Sequence, residues 1–529
     1  MSSPRSYAPN AVFERLWQKV PGYIRWTFAM TLLMGLVAHL YAFTNDLVNH
    51  DDIYHLFQCD YGALSGRWFL PVVLQWDGGF SMPWLIGVLS LLCLAVTVCF
   101  AVCLLRVRSR LGCLIVAAIL AAFPSVTATF TYMFTADAYF FAAMLAAFAA
   151  YAVWRMPVMG LPLGAIALIF SMGIYQSYFS VATVLMVGAL LFDALDAKES
   201  FSQLILKGVK MLGALVLSLL VYMAAAHFAT RNVGLTDYMG ISEMGHLSLS
   251  ELPALIVKCY KEYAGIFWDN TNGFYFDFLN VLIPLAMLLA VVLFLTLVAR
   301  RRVGVLRGVL ALALLVVYPL AGNLIHIMVA GGSVHQLMIY GAAFMLVLPV
   351  ALVDVVSMQA AEMDGARQLV NAALSWVILG VMALTAYSYI VFDNKIYQKM
   401  DVSKQEITAY SNRLLSAVEQ APGYQVGMPL VLVGASKVDE SLLTAPEMED
   451  IWLVGALNVA QIRAQYSYGE FLQYYMAYPG DVCLVNSADD EKAAVANDFA
   501  ARPEVAAMSL YPADGSIQAI DGYMVVKLS

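Results

Sequence analysis

The chain reads as a polytopic α-helical membrane protein of about eleven transmembrane helices, with a small non-cytoplasmic α/β domain at its C-terminal end. Two observations carry that reading. The composition is 62% hydrophobic and 12% charged, with a mean hydropathy of +0.76, whereas soluble domains carry about 25% charged residues. Near Asp393 the character changes: charge rises and the long apolar runs stop. The net charge of −8, with no basic run, offers nothing to nucleic acid.

Spanning a hydrocarbon core takes roughly 20 apolar residues. By that measure helices are expected near 23–44, 82–105, 111–130, 133–154, 158–174, 175–192, 209–229, 277–299, 303–323, 336–357 and 369–392. The pair meeting at Gly173–Tyr175 is the shortest. The segment Tyr23 to Phe43 is too long for a signal-peptide core and reads as a retained helix. Basic residues orient the bundle. Arg5, Arg15, Lys19 and Arg25 precede the first span, Arg106, Arg108 and Arg110 follow the second, and Arg155 follows the fourth. Lys198, Lys207 and Lys210 follow the sixth, Arg300, Arg301, Arg302 and Arg307 the eighth, and Arg367 precedes the last. With alternating helices all of these fall on one side, which the positive-inside rule places in the cytoplasm together with the N-terminus.

Two larger regions then lie outside. Between Arg231 and Asp277, the residues Leu252, Leu255, Ile256, Cys259, Tyr263 and Phe267 recur at helical spacing behind Ser248 and Glu251, a capping-box pattern. This amphipathic helix lies in the membrane interface or packs over the bundle. From Asp393 onward, Ile407, Tyr410, Leu414 and Val418 mark another amphipathic helix. Leu430–Val433, Val482–Val485 and Tyr523–Leu528 read as strands, with helices near 454–464 and 488–500. The chain therefore divides at 1–392 and 393–529. Of seven cysteines, Cys93, Cys99, Cys103 and Cys113 read as packing residues. Cys59, Cys259 and Cys483 fall outside, where a disulfide between two of them is open, and no spacing suggests zinc.

Polar residues that invite chemistry gather at the outer ends of helices. Asp51 and Asp52 follow the first span, and adjacent carboxylates beside a bilayer are costly unless water or a cation reaches them. One could take a proton from an acceptor hydroxyl, or the pair could hold a divalent cation such as Mg or Mn; an N-cap is the structural alternative. Ser65-Gly66-Arg67-Trp68 offers a planar guanidinium suited to phosphate, with Gly66 allowing close backbone approach and Trp68 either stacking on a sugar or anchoring at the interface. Asp137 sits at the outer end of the fourth span, rimmed by Tyr132, Tyr139 and Phe140, as a functional acid or a helix cap. Tyr175 and Gln176, in Gly173-Ile174-Tyr175-Gln176, need hydrogen-bond partners that a polyol, a phosphate or a neighbouring helix would supply. Asn323, His326, His335 and Gln336 cluster at a further outer turn and could line the same cavity.

Taken together, Asp51-Asp52, Ser65-Gly66-Arg67-Trp68, the Phe123-Pro124 helix end, Gly173-Ile174-Tyr175-Gln176, Asn394-Lys395-Ile396-Tyr397, Tyr511-Pro512 and Asp521-Gly522 resemble the bacterial serotype-converting O-antigen glucosyltransferases. The resemblance spans most of the chain through short motifs, the early acids with Gly-Arg-Trp being the most specific. It implies a GT-C membrane bundle in the bacterial cytoplasmic membrane that moves glucose or a similar hexose from undecaprenyl phosphate to a surface glycan. It further implies Asp51 or Asp52 as base, Arg67 on the donor phosphate, and Tyr175 and Gln176 on the sugar or acceptor. Such a donor, delivered within the bilayer, suits a chain with no nucleotide-binding signature. The competing class is a flippase for lipid-linked glycans, which would place polar groups on both sides of the midplane and often shows repeat symmetry. A glycan-binding protein without chemistry is a third reading.

Overall fold

The computed structural model describes residues 8–57, 65–196, 198–231, 250–301, 303–329, 332–358, 365–443 and 446–529. Helices dominate from the start. After α1 (Pro9–Lys19), Pro21 opens the first long apolar helix, α2 (Gly22–Thr44). Two short helices, α3 (His50–Tyr54) and α4 (Leu70–Val73), lie in the connection to α5 (Pro83–Leu104). Helix α6 (Arg110–Ala122) meets α7 (Pro124–Phe130) at a 44° bend. The cause is local: Phe123 is extended and Pro124, lacking an N–H, can only begin a new helix. Next come α8 (Ala136–Arg155), α9 (Gly160–Ile174), α10 (Phe179–Asp196) and α11 (Phe201–Thr230). The last is opened by a Ser200–Gln203 capping box.

Beyond α12 (Leu252–Phe267), α13 (Leu279–Arg300) and α14 (Val305–Gly322), the short α15 (Ile325–Met328) leads through a 3-10 helix, Gln336–Ala343, into α16 (Phe344–Ser357). Among the described residues nine helices are long and apolar enough to cross a membrane, ten if the bent α6–α7 pair counts as one span. The chain is therefore a multi-pass membrane protein. Each of the eleven segments expected from hydropathy contains a helix. However, α9 has only 15 residues, about 22 Å at 1.5 Å per residue, short of a full hydrocarbon core.

The long helix α17 (Gly365–Gln420) joins what the sequence suggested were two helices, the segment 369–392 and the amphipathic stretch through Val418. Its 56 residues span roughly 84 Å, and no Pro or Gly interrupts it between Gly380 and Pro422. The helix thus runs through position 393 without a break, and its far end packs Ile407, Leu414 and Val418 against a sheet.

That sheet has four strands, β1 (Leu430–Val433), β2 (Val482–Leu484), β3 (Ile517–Ile520) and β4 (Tyr523–Lys527), in the order β2-β1-β4-β3. β1 runs parallel to both neighbours, and β3 pairs antiparallel with β4. Side chains alternate along β1. Leu430 and Leu432 face α17, α18 (Val459–Arg463) and α19 (Tyr468–Tyr474), whereas Val431 and Val433 pack with Ala496 and Phe499 of α20 (Asp490–Ala501). A last short helix, α21 (Pro503–Ala506), precedes β3. β3 was not expected from the sequence because its Ile-Gln-Ala-Ile run is short and half-exposed. The Asp521-Gly522 turn, with both residues at positive φ, is the hairpin signal that marks it.

Helix α12 buries Leu255, Cys259, Tyr263 and Phe267 of the stripe that the spacing indicated, with Leu252 and Ile256 half-buried, and it buries Ile266 besides. It packs over the bundle, with Asn323 Nδ2 donating to the Cys259 carbonyl at 3.0 Å. Its N-cap, Glu251, makes no side-chain cap, and Ser248 lies outside the described residues. Cys259 and Cys483 are free thiols; Cys59 is outside the described residues. At one end of the bundle Arg106, Lys207 and Arg301 converge on Asp193, Asp196 and Glu199. Basic residues from three separate parts of the chain therefore share one side of the bundle.

Candidate active site

The site begins with Asn49. Its side chain caps α3 by accepting from the Asp51 amide at 2.8 Å, and its Nδ2 donates to the Gly455 carbonyl at 3.1 Å. A five-residue helix cannot point two successive side chains the same way, since each residue turns about 100°. Asp51 and Asp52 accordingly part company. Asp51 lines a cavity of about 320 Å³ together with His50, Arg67, Tyr139, Tyr175, His335 and Tyr466. Tyr132, Phe134, Thr135, Leu337 and Val454 line it as well.

Asp51 is held at a single oxygen. The Tyr466 hydroxyl donates to its Oδ1 at 2.5 Å, and His50 Nε2 lies 3.3 Å from that same atom. The His50 ring meets Tyr132 and Tyr466 edge-on. Burial pulls the His50 pKa below its usual 6.5, a shift that Asp51 partly offsets. The second histidine of the cavity, His335, stands just ahead of the 3-10 helix, and burial lowers its pKa as well.

Asp52 turns away from the cavity. Its carboxylate accepts the backbone N–H of Phe134 at 2.8 Å and of Met133 at 3.2 Å, fixing the turn that opens α8. Burial pushes its pKa well above the carboxylate range, against the lowering effect of those two amides.

Arg67 follows Gly66, whose φ of +74° makes the turn that delivers it. The guanidinium is buried, donates to the Tyr139 hydroxyl at 2.9 Å and lies 4.8 Å from the centre of the Tyr175 ring. Tyr139 and Tyr175 stack in parallel at 4.3 Å. Arg67 is the one Lys or Arg among the described residues that line the cavity.

Trp68, Asp137 and Gln176 do not line it. Gln176 Nε2 donates to the Ser65 carbonyl at 3.0 Å and to the Tyr222 hydroxyl at 2.8 Å, and Tyr222 donates to the Gly66 carbonyl at 3.3 Å. These bonds hold the backbone that carries Arg67. Trp68 packs on Gly173 and Phe170. Asp137, buried in the first turn of α8, accepts the amide of Ala138.

Val454 and Tyr466 come from beyond α17 and had no sequence signal. Their segment is anchored by the Thr131 hydroxyl, which donates to the Val454 carbonyl at 2.8 Å, and by Gly455 at φ +86°. A Cβ there would lie 2.2 Å from Thr131 Oγ1.

A divalent cation fits this donor set poorly. The two acids engage different partners, Asp52 already accepts two amides, and no group of three His, Cys, Asp or Glu among the described residues is arranged to hold a metal.

A family model described as Glucosyl transferase GtrII matches residues 40–348, more than half of the chain. Among the described residues, that range holds every cavity-lining one except Val454 and Tyr466. No match was found among curated proteins or among solved structures. With this match and a multi-pass helical bundle around the cavity, the chain belongs to the GtrII glucosyl transferase family and is a membrane glycosyltransferase.

Proposed function

We propose that this enzyme transfers glucose or a similar hexose from undecaprenyl phosphate to a cell-surface glycan, with Asp51 as the base. The observation that supports it is a cavity whose described lining presents one carboxylate, Asp51, and one guanidinium, Arg67, in a glucosyl transferase chain. The acceptor hydroxyl gives its proton to Asp51 Oδ2, the oxygen left clear by Tyr466 and His50. The acceptor oxygen bonds to the anomeric carbon as the bond from that carbon to the phosphate oxygen breaks. The electron pair leaves with the lipid phosphate, whose added charge Arg67 neutralises. One displacement inverts the anomeric centre.

Tyr175 and His335 contact the sugar in this reading, while Gln176 and Trp68 act through the backbone of Arg67. The reaction takes place at the outer face of the cytoplasmic membrane, with the N-terminus inside. Residues 1–392 form the catalytic bundle and 393–529 an extracytoplasmic domain. The basic residues gathered with Asp193, Asp196 and Glu199 support that orientation.

The test is transfer of labelled glucose from synthetic undecaprenyl-phosphate glucose to surface glycan by purified protein in detergent. Wild type should transfer and Asp51→Asn should not, with folding preserved because the side chains are nearly isosteric. Normal transfer by Asp51→Asn would remove Asp51 as base.

A further inference from the structure

Outside the cavity, large aromatic side chains stand exposed in one patch. Phe57 is 56% exposed, Phe80 48% and Tyr474 49%. They come from three separate places: the segment after α3, the connection before α5, and the end of α19. Their rings meet, Phe57 lying 5.3 Å from Tyr474 and 6.0 Å from Phe80, both edge-on. The Ser81 amide donates to the Leu56 carbonyl at 3.3 Å and ties two of these segments together. Exposed apolar rings gathered in this way mark a binding surface more often than isolated ones do.

The same segment also reaches the cavity. Tyr54, three residues before Phe57 and itself exposed, meets the Tyr466 ring at 5.6 Å. Tyr466 in turn donates to Asp51. One aromatic pair, Tyr466 and Tyr54, thus reaches from the carboxylate to the surface, and the Phe57 cluster stands one helical turn of sequence beyond Tyr54, both bridging the α3 connection and the sheet-bearing part of the chain.

We infer that Tyr54, Phe57, Phe80 and Tyr474 form a subsite for the acceptor glycan, a proposal that rests on the glycan-transfer reading above. A pyranose ring has an apolar C–H face and a rim of hydroxyls. Its face covers an aromatic ring, and its rim finds the phenols of Tyr54 and Tyr474. A polymer lying across these rings would bring one hydroxyl to Asp51 while leaving the donor side, at Arg67, free. Membrane anchoring would also use interfacial aromatics. It does not account for their place beside the short segment, His50 to Phe57, that also carries the base.

The test measures binding without transfer. Lipid-free oligosaccharide released from the host's surface glycan is titrated into full-length Asp51→Asn protein in detergent by calorimetry. A Phe57→Ala/Tyr474→Ala pair in that background should weaken binding roughly fivefold or more, and Phe57→Trp should retain it. In the Asp51-containing enzyme the same pair should raise KM for glycan with KM for the lipid donor unchanged. Unchanged binding, no binding by the parent protein, or an equal loss of donor and glycan use with poorer bilayer insertion would each overturn the subsite. The titration does not depend on which residue is the base, so normal transfer by Asp51→Asn would sink the catalytic reading without deciding this one.

Discussion

The Tyr466 phenol donates to Asp51 Oδ1 at 2.5 Å, joining residues 415 positions apart. The carboxylate assigned as base is therefore held by a side chain from beyond the long helix α17, outside the segment that matches the family.

Tyr466→Phe removes that bond and little volume. Hydrogen bonds to charged groups contribute about 1.5–3 kcal/mol, so kcat should fall roughly tenfold or more with KM for the donor nearly unchanged. Steady-state kinetics at varied donor concentration checks the split; an unchanged kcat would show that Tyr466 does not orient the base.

Asp52→Asn tests the other acid through stability. Asp52 accepts two backbone amides, and an Asn side chain can accept only through its one oxygen. A loss of about 1–3 kcal/mol follows from leaving one buried donor unmatched, read as a lower Tm in detergent. The pH dependence has a sign. With its pKa raised by burial above the ordinary 3.8, native Asp52 binds more protons than the unfolded chain across that window. Its contribution to stability is fully present below the ordinary value and is lost as pH rises through the raised one. The difference between wild type and Asp52→Asn should shrink over the same range.

Arg67→Lys keeps the charge and loses the planar fork that donates to Tyr139 and lies over Tyr175. Donor kcat/KM should fall roughly tenfold to a hundredfold. Donor-concentration series with glycan held at saturation measure it, and near-normal values would place the phosphate elsewhere.

Gly455→Ala meets two obstacles, a φ of +86° and a Cβ 2.2 Å from Thr131 Oγ1. The segment must shift, taking Val454 and the Asn49 bond with it. Activity should drop roughly tenfold while the helical bundle stays intact by circular dichroism. Full activity would mean that this segment does not shape the cavity.

Much of this arrangement was legible in the residues. Asp51, Arg67, Tyr175 and His335, singled out by their place at the outer ends of apolar segments, do line one cavity. Gln176 was legible as a buried polar group in need of partners, but the partners proved to be Ser65 and Tyr222. Trp68 packs on Gly173 for a similar reason: a neighbouring helix was available to cover it. The α17 helix was read as two because apolar character ends near residue 392, whereas helix continuity depends on backbone hydrogen bonds that charged residues do not interrupt.

By itself the sequence determined the membrane class, the order of the long apolar helices, three of the four strands and the family. Those follow from composition, from periodicity and from short motifs, all local along the chain. Only the tertiary structure decided which of two adjacent acids faces the cavity, and that Val454 and Tyr466 join its wall. Helical rotation separates Asp51 from Asp52, but packing chooses which one turns inward. A contact across 415 residues leaves no trace in local pattern, because what places Tyr466 is the docking of the sheet-bearing segment on Asn49 and Thr131.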